Sequence, residues 1–79
     1  MIIKVLGPGC ANCVNLEKNT RAALASLGMD AQVEKVTDYP TIVGYGVLKT
    51  PGLVIDEELV LSGKVAKPAE IAGLLSARA

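Results

Sequence analysis

The chain has 79 residues, and we expect them to form a single domain over residues 1–79. Eight basic and eight acidic side chains cancel, so the composition offers no basic patch of the kind that nucleic-acid binding requires. Hydrophobic residues make up 51% of the chain without any Phe or Trp, so a core of Val, Ile, Leu and Ala has to stabilise this small domain.

The N-terminal sequence "MIIKVLG" argues against export and against membrane insertion. It is too short for the apolar region of a signal peptide and lacks the basic segment that precedes one. No apolar run approaches the ~18 residues of a membrane span. We therefore expect a cytoplasmic protein without a membrane partner. In the cytoplasm a pair of cysteines is more often catalytic or metal-binding than structural.

The first predicted strand covers residues 2–6, "IIKVL". It is β-branched and apolar apart from Lys4, which is typical of a strand buried on both faces. "GPG" at 7–9 ends the strand. Over residues 11–27 the apolar positions recur with a helical period, and Gly28 ends the helix. One helix face is predicted to be buried, and it carries Cys13, Leu16, Thr20, Leu24 and Leu27.

Four further elements follow in the chain. Residues 31–36 predict a second strand. Asp38 is the expected N-cap of a short helix over 39–45. Residues 50–63 contain two apolar runs around an acidic turn, which predicts a β-hairpin, and Pro68 opens a final helix. The order β-α-β-α-β-β-α predicts an α/β fold: a parallel strand pair from the first βαβ unit and an antiparallel hairpin form a mixed four-stranded sheet with flanking helices.

Cys10 and Cys13 form a C-x-x-C motif between the first strand and the first helix. A spacing of i, i+3 brings both side chains together on the helix surface, close enough for a disulfide. The free N–H groups and the positive end of the helix dipole favour a thiolate at Cys10, and thiolate is the form that attacks a disulfide. Cys13 lies on the apolar face. We therefore expect Cys10 to attack a substrate and Cys13 to resolve the resulting mixed disulfide.

Other uses of two cysteines fit the sequence less well. A structural zinc site needs four ligands, usually Cys and His, whereas this chain has two Cys and no His. A purely structural disulfide would close a very small loop and stabilise the protein little. We therefore expect no metal among the site residues.

Two alternatives stay open: a carrier of Cu(I) or another soft metal on the same two thiolates, and a non-enzymatic redox sensor whose disulfide alters the binding of a partner. Heavy-metal-associated domains also place a C-x-x-C after their first strand. They usually have Met two residues before the first Cys, where this chain has Pro8, and they end in a strand, where this chain has the helix opened by Pro68.

With "GCANC" at 9–13 and "TPGLVID" at 50–56, the chain resembles the thioredoxin superfamily over essentially its whole length. It looks most like the small redox-active disulfide proteins, which are minimal thioredoxin-like domains of archaea and bacteria. The resemblance implies a thioredoxin-like fold and thiol–disulfide oxidoreductase activity without a cofactor. It also implies protein disulfides as substrates and an unidentified reductase as partner, and we expect a monomer.

The resemblance assigns roles to four residues. Cys10 and Cys13 are the expected catalytic pair. Pro51 matches the superfamily's cis proline beside the disulfide, and Thr50 precedes it. Proline has no N–H to donate to a sheet, and the backbone of Thr50 can pair with an extended substrate by strand addition. Thr50 and Pro51 are therefore the expected substrate-binding residues.

The sequence departs from thioredoxin around the motif. Gly9 replaces the Trp that precedes the first cysteine, and Ala11 and Asn12 replace the intervening Gly-Pro. Lys4 stands where thioredoxin has a buried Asp, six residues before Cys10. The Lys4 ammonium either lies beneath the sulfurs or extends from the sheet into solvent, and we leave it outside the site. The glutathione-binding pattern of glutaredoxins is not evident.

Overall fold

Among the residues that the structure describes, seven elements follow one another in the predicted order. The computed structural model of the chain describes residues 1–9 and 11–78. The strands and helices are β1 (Ile2–Leu6), α1 (Ala11–Leu27), β2 (Gln32–Val36), α2 (Tyr39–Gly44), β3 (Gly52–Ile55), β4 (Glu58–Ser62) and α3 (Pro68–Ser76). The type and order of the predicted elements are therefore confirmed.

The strands form one mixed sheet in the order β2-β1-β3-β4. β1 and β2 run parallel, with Ile2 opposite Gln32 and Leu6 opposite Val36. β3 lies antiparallel to both β1 and β4. The predicted α/β fold with a mixed four-stranded sheet is confirmed. Because β1 is an interior strand, its C-terminal end leads into α1 from the middle of the sheet.

β1 is buried on both faces of the sheet. Successive side chains of a strand point to opposite faces; Ile3 and Val5 join a cluster with α1 and α3, whereas Leu6 packs with Ile42 of α2. This two-sided burial explains why Lys4 is the only polar residue of the strand. Fully buried residues on the α1 and α3 side include Leu16, Ala23, Leu53, Ile55, Ile71 and Leu75.

Local signals set the ends of α1 and α2. Gly28 has a φ of 64°, and the N–H of Met29 donates to the Leu24 carbonyl at 3.0 Å, which closes the last turn of α1 in the usual glycine-terminated manner. The Asp38 carboxylate accepts the backbone N–H of Thr41 at 3.1 Å and caps α2. The predicted end of α1 at Gly28 and the predicted N-cap of α2 at Asp38 are confirmed.

No helix among the described residues has both the length and the hydropathy that crossing a membrane demands.

The buried face of α1 is predicted correctly for all but its last residue. Cys13, Leu16, Thr20 and Leu24 are buried. Leu27 is 37% exposed, whereas Ala23, outside the predicted set, is fully buried. The prediction for Leu27 is wrong because a helical period gives the direction of a side chain and not how far along the axis neighbouring elements cover it. Burial on this face declines over the last turn of α1.

Candidate dithiol site

The candidate site lies where β1 ends and α1 begins. The N–H of Gly7 donates to the Val36 carbonyl at 2.9 Å, so the parallel pairing of β1 with β2 continues one residue past the strand. Gly9 has a φ of 90°, a conformation that favours glycine, and turns the chain toward α1. Cys10, the predicted attacking residue, lies outside the described residues.

Cys13 is the third residue of α1 and is 5% exposed. Its burial, predicted from the apolar face of the helix, is confirmed. The sulfur packs against the backbone of Gly7. A Cβ built on Gly7 would overlap the Cys13 Sγ and would lie 3.3 Å from the Cys13 Cβ. The sequence identifies Gly7 only as a strand breaker and does not predict this contact, because nothing local marks a glycine that faces a sulfur.

The Thr50–Pro51 peptide bond is cis, as the family resemblance predicts. Pro51 is buried and Thr50 is partly buried. The Pro51 carbonyl accepts the N–H of Gly63 at 2.8 Å, which fixes the loop just before β3. The same Cβ built on Gly7 would lie 3.8 Å from the Thr50 Cβ. Gly7 therefore has Cys13 and the Thr50–Pro51 loop as immediate neighbours.

A shallow groove opens beside Cys13. Val14, one of its lining residues, is 51% exposed. Glu17, four residues after Cys13, lines the same groove. The lining is completed by Val5, Gly7, Gly9, Lys35 and Thr37. The groove thus has apolar residues and one pair of opposite charges, Glu17 and Lys35, in its lining.

The Glu17 carboxylate is held by two cations. One oxygen lies 3.2 Å from the Lys35 ammonium, and the other lies 3.0 Å from the Arg21 guanidinium. The pair with Arg21 has the i, i+4 spacing of neighbours on one helix face, whereas the contact with Lys35 joins α1 to β2. Burial raises the pKa of Glu17, but the hydrogen bonds from Lys35 and Arg21 outweigh it and hold that pKa below its ordinary value. Glu17 therefore keeps a negative charge in the groove of Cys13 at neutral pH.

Lys4 faces away from Cys13. Its ammonium donates to the Tyr45 hydroxyl at 2.8 Å and to a Glu57 oxygen at 2.6 Å, and the Tyr45 hydroxyl donates to the other Glu57 oxygen at 2.7 Å. Because side chains alternate along β1, Lys4 projects to the α2 side of the sheet, while Gly7 faces Cys13 on the other. The hydrogen bond with Glu57, and then that with Tyr45, raises the pKa of Lys4. The Lys4 ammonium thus binds the turn between β3 and β4.

The similarity to known proteins spans this site. A family model described as a thioredoxin domain matches residues 1–76. The chain is 46% identical over 76 residues to a protein named thioredoxin from Methanothermobacter thermautotrophicus, which covers 96% of this chain and 99% of that protein. It is 37% identical over 71 residues to a thioredoxin from Methanocaldococcus jannaschii, which covers 90% of this chain and 81% of that protein.

Proposed function

We propose, since this chain belongs to the thioredoxin family of thiol–disulfide oxidoreductases, that Cys10 and Cys13 exchange a dithiol and a disulfide with disulfides of other proteins. Cys10 is the attacking residue and Cys13 the resolving one. Thr50 and Pro51 bind the substrate beside them. A separate reductase returns the pair to the dithiol form, and no bound cofactor takes part.

The proposed reaction has two steps. The Cys10 thiolate attacks one sulfur of a substrate disulfide, which forms a mixed disulfide and releases the first substrate thiolate. The Cys13 thiolate then attacks the Cys10 sulfur, which breaks the mixed disulfide and releases the second substrate thiolate. Two electrons have passed to the substrate, and this chain holds a Cys10–Cys13 disulfide. The reductase supplies two electrons and two protons to reverse that change.

The burial of Cys13 is the observation that carries the proposal. A thiol that is 5% exposed is poorly accessible to a large substrate in solution, but it suits attack on a mixed disulfide formed at Cys10, three residues earlier in the sequence. A metal carrier, in contrast, exchanges its cargo with a partner through accessible thiolates. The burial of Cys13 therefore favours redox exchange over cargo transfer.

The loop around Pro51 supports the proposed substrate-binding role. Thr50 lies next to Gly7, which itself packs against Cys13, so a strand that pairs with the Thr50 backbone would run past the Cys13 sulfur. Leu48, two residues before Thr50, is 94% exposed. An apolar side chain left in solvent on this loop is available to a partner protein.

The proposal is tested by turnover of insulin with dithiothreitol as the reductant. The wild type is compared with Cys10→Ser and with Cys13→Ser, and each is passed through a desalting column after incubation with Cu(I). We expect the wild type to reduce insulin catalytically and both variants to fall to the uncatalysed rate. Turnover that survives both replacements would defeat the proposal. An inactive wild type that retains stoichiometric Cu(I) would replace it with the carrier function.

A further inference from the structure

Gly7 occupies a position at which no side chain fits. A Cβ on this residue would overlap the Cys13 Sγ and would also approach the Cys13 Cβ to 3.3 Å and the Thr50 Cβ to 3.8 Å. The backbone φ of Gly7 lies outside the left-handed region that favours glycine. The requirement for glycine is therefore one of space and not of backbone conformation, and the space is filled by a sulfur.

The backbone of Gly7 is held in place. Its N–H donates to the Val36 carbonyl at 2.9 Å, and the preceding residue, Leu6, is paired with Val36 on one side and with Gly52 on the other. A substitution at position 7 therefore meets a fixed strand. The Cys13 side chain, in the first turn of α1, is the part that has to move. Because the Gly7 N–H is already used by Val36, Gly7 acts on the sulfur through its shape and not as a hydrogen-bond donor.

We propose that Gly7 is a positioning residue for the Cys13 sulfur, and that its missing side chain sets how deeply this sulfur sits against β1 and thereby how stable the Cys10–Cys13 disulfide is. The inference rests on the proposed function. Disulfide geometry is narrow in bond length and dihedral angle, and deviations make the bond easier to reduce. A methyl group at position 7 displaces the Cys13 sulfur from its position in the disulfide. The disulfide form is then less stable, and the equilibrium shifts to the dithiol form.

The first test measures the equilibrium of the pair with glutathione in Gly7→Ala. Oxidised glutathione accepts two electrons from the two thiols and leaves as two molecules of reduced glutathione. We expect the equilibrium constant for oxidation to fall at least about tenfold, which corresponds to about 30 mV for a two-electron couple. A constant within about twofold of the wild-type value would overturn the inference, since a merely structural glycine leaves the potential unchanged.

Two variants control for loss of stability. Ala23→Val crowds a fully buried position of α1 ten residues from Cys13, or about 15 Å along the helix, and overpacking of this kind destabilises a core. Gly73→Ala fills open space, because nothing lies within 4 Å of a Cβ there. Both should keep the wild-type equilibrium constant. A shift in Ala23→Val as large as in Gly7→Ala would show that destabilisation alone moves the equilibrium, and would overturn the inference.

A second test does not depend on redox activity. Gly7→Ala is compared by thermal unfolding in the wild-type background and in Cys13→Ala, where the overlapping sulfur is absent. We expect the loss of stability to be smaller in Cys13→Ala, and equal losses would overturn the inference. If Gly7→Ala fails to fold, recovery of folding in the double variant supports the contact, and continued failure contradicts it.

The two proposals fail in different ways. A wild-type protein that forms no Cys10–Cys13 disulfide in the glutathione buffer defeats the proposed function, and the redox role of Gly7 with it. A wild type that turns over insulin while Gly7→Ala keeps the wild-type equilibrium constant defeats the inference about Gly7 alone.

Discussion

The ammonium of Lys4 and the carboxylate of Glu57 lie 2.6 Å apart although 53 residues separate them in the chain. Lys4 comes from the interior strand β1, and Glu57 from the turn between β3 and β4, where it has a φ of 68°. The Tyr45 hydroxyl, just after α2, contacts both charged groups. One polar cluster thus joins the central strand, the hairpin turn and the end of α2 on the side of the sheet opposite Cys13.

This cluster predicts an acid-sensitive contribution to stability. The hydrogen bond from Lys4, and then that from Tyr45, lowers the pKa of Glu57 from its ordinary value of 4.5. A carboxyl whose pKa is lower in the folded than in the unfolded chain stabilises the fold above the unfolded pKa, and that stabilisation is lost as the pH falls through the folded pKa. We therefore expect Glu57→Gln to unfold at lower temperature than the wild type at neutral pH.

Thermal unfolding from pH 7 down to the acid limit checks this prediction. The wild-type and Glu57→Gln curves should converge as the pH drops below about 4.5, because the wild type then loses what the variant already lacks. Asp30→Asn is the matched control, since Asp30 is exposed and does not take part in the cluster. Parallel curves for the wild type and Glu57→Gln would contradict the prediction.

The two cysteines should differ in reactivity toward a small alkylating agent. Cys13 is 5% exposed, whereas Cys10 precedes the first residue of α1, where the helix dipole favours thiolate. We expect alkylation of Cys10 in the reduced protein to be at least about tenfold faster. Timed modification followed by peptide mass measurement checks this, with the rates in denaturant as the reference. Faster modification of Cys13 would reverse the assignment of the two roles.

Replacing Leu48 should slow the reduction of protein disulfides and leave the reduction of small disulfides unchanged. Its side chain is 94% exposed beside the proposed substrate-binding residues. Covering part of a leucine contributes about 1 kcal/mol, so Leu48→Ser should slow insulin turnover roughly fivefold and leave reduction of a small aromatic disulfide unchanged. Leu27→Ser, at the exposed end of α1, is the matched control. Equal effects of both variants on insulin would exclude a specific contact at Leu48.

Glu17 should slow the reaction of Cys13 with electrophiles. Glu17 lines the same groove as Cys13, and a nearby negative charge disfavours thiolate. In Glu17→Gln the charge is removed while Lys35 remains, so alkylation of Cys13 at neutral pH should become roughly two- to fivefold faster, as expected of charges across a partly hydrated groove. Glu70→Gln, a substitution on α3 that breaks the ion pair of Glu70 with Lys64, serves as control. An unchanged rate in Glu17→Gln would show that the carboxylate does not influence the sulfur.

Local sequence patterns predicted most of the fold. The β-branched run of β1, the glycine at position 28, the cap at Asp38 and the proline at position 68 each act within a few residues, so their effects can be predicted without knowledge of distant parts of the chain. The burial of Cys13 followed in the same way from the helical period. Leu27 shows the limit of such patterns, since its exposure depends on where neighbouring elements end.

The contacts that define the candidate site were harder to predict. Gly7 meets Cys13 only because the chain reverses direction between β1 and α1, and Lys4 meets Glu57 only because the hairpin of β3 and β4 pairs with β1. The contact between Glu17 and Lys35 likewise joins α1 to β2. Such pairs depend on the register of the sheet and the packing of helices on it, and no local pattern carries that information.

Trapping with insulin tests most directly whether Cys10 attacks the substrate and Cys13 resolves the mixed disulfide. Cys13→Ser and Cys10→Ser are incubated with insulin without a reductant, and any mixed disulfide is located by peptide mass. We predict that Cys13→Ser accumulates a long-lived mixed disulfide between Cys10 and insulin, because the thiol that would release it is missing, whereas Cys10→Ser accumulates little. Trapping at Cys13 in Cys10→Ser, with none in Cys13→Ser, would contradict the account.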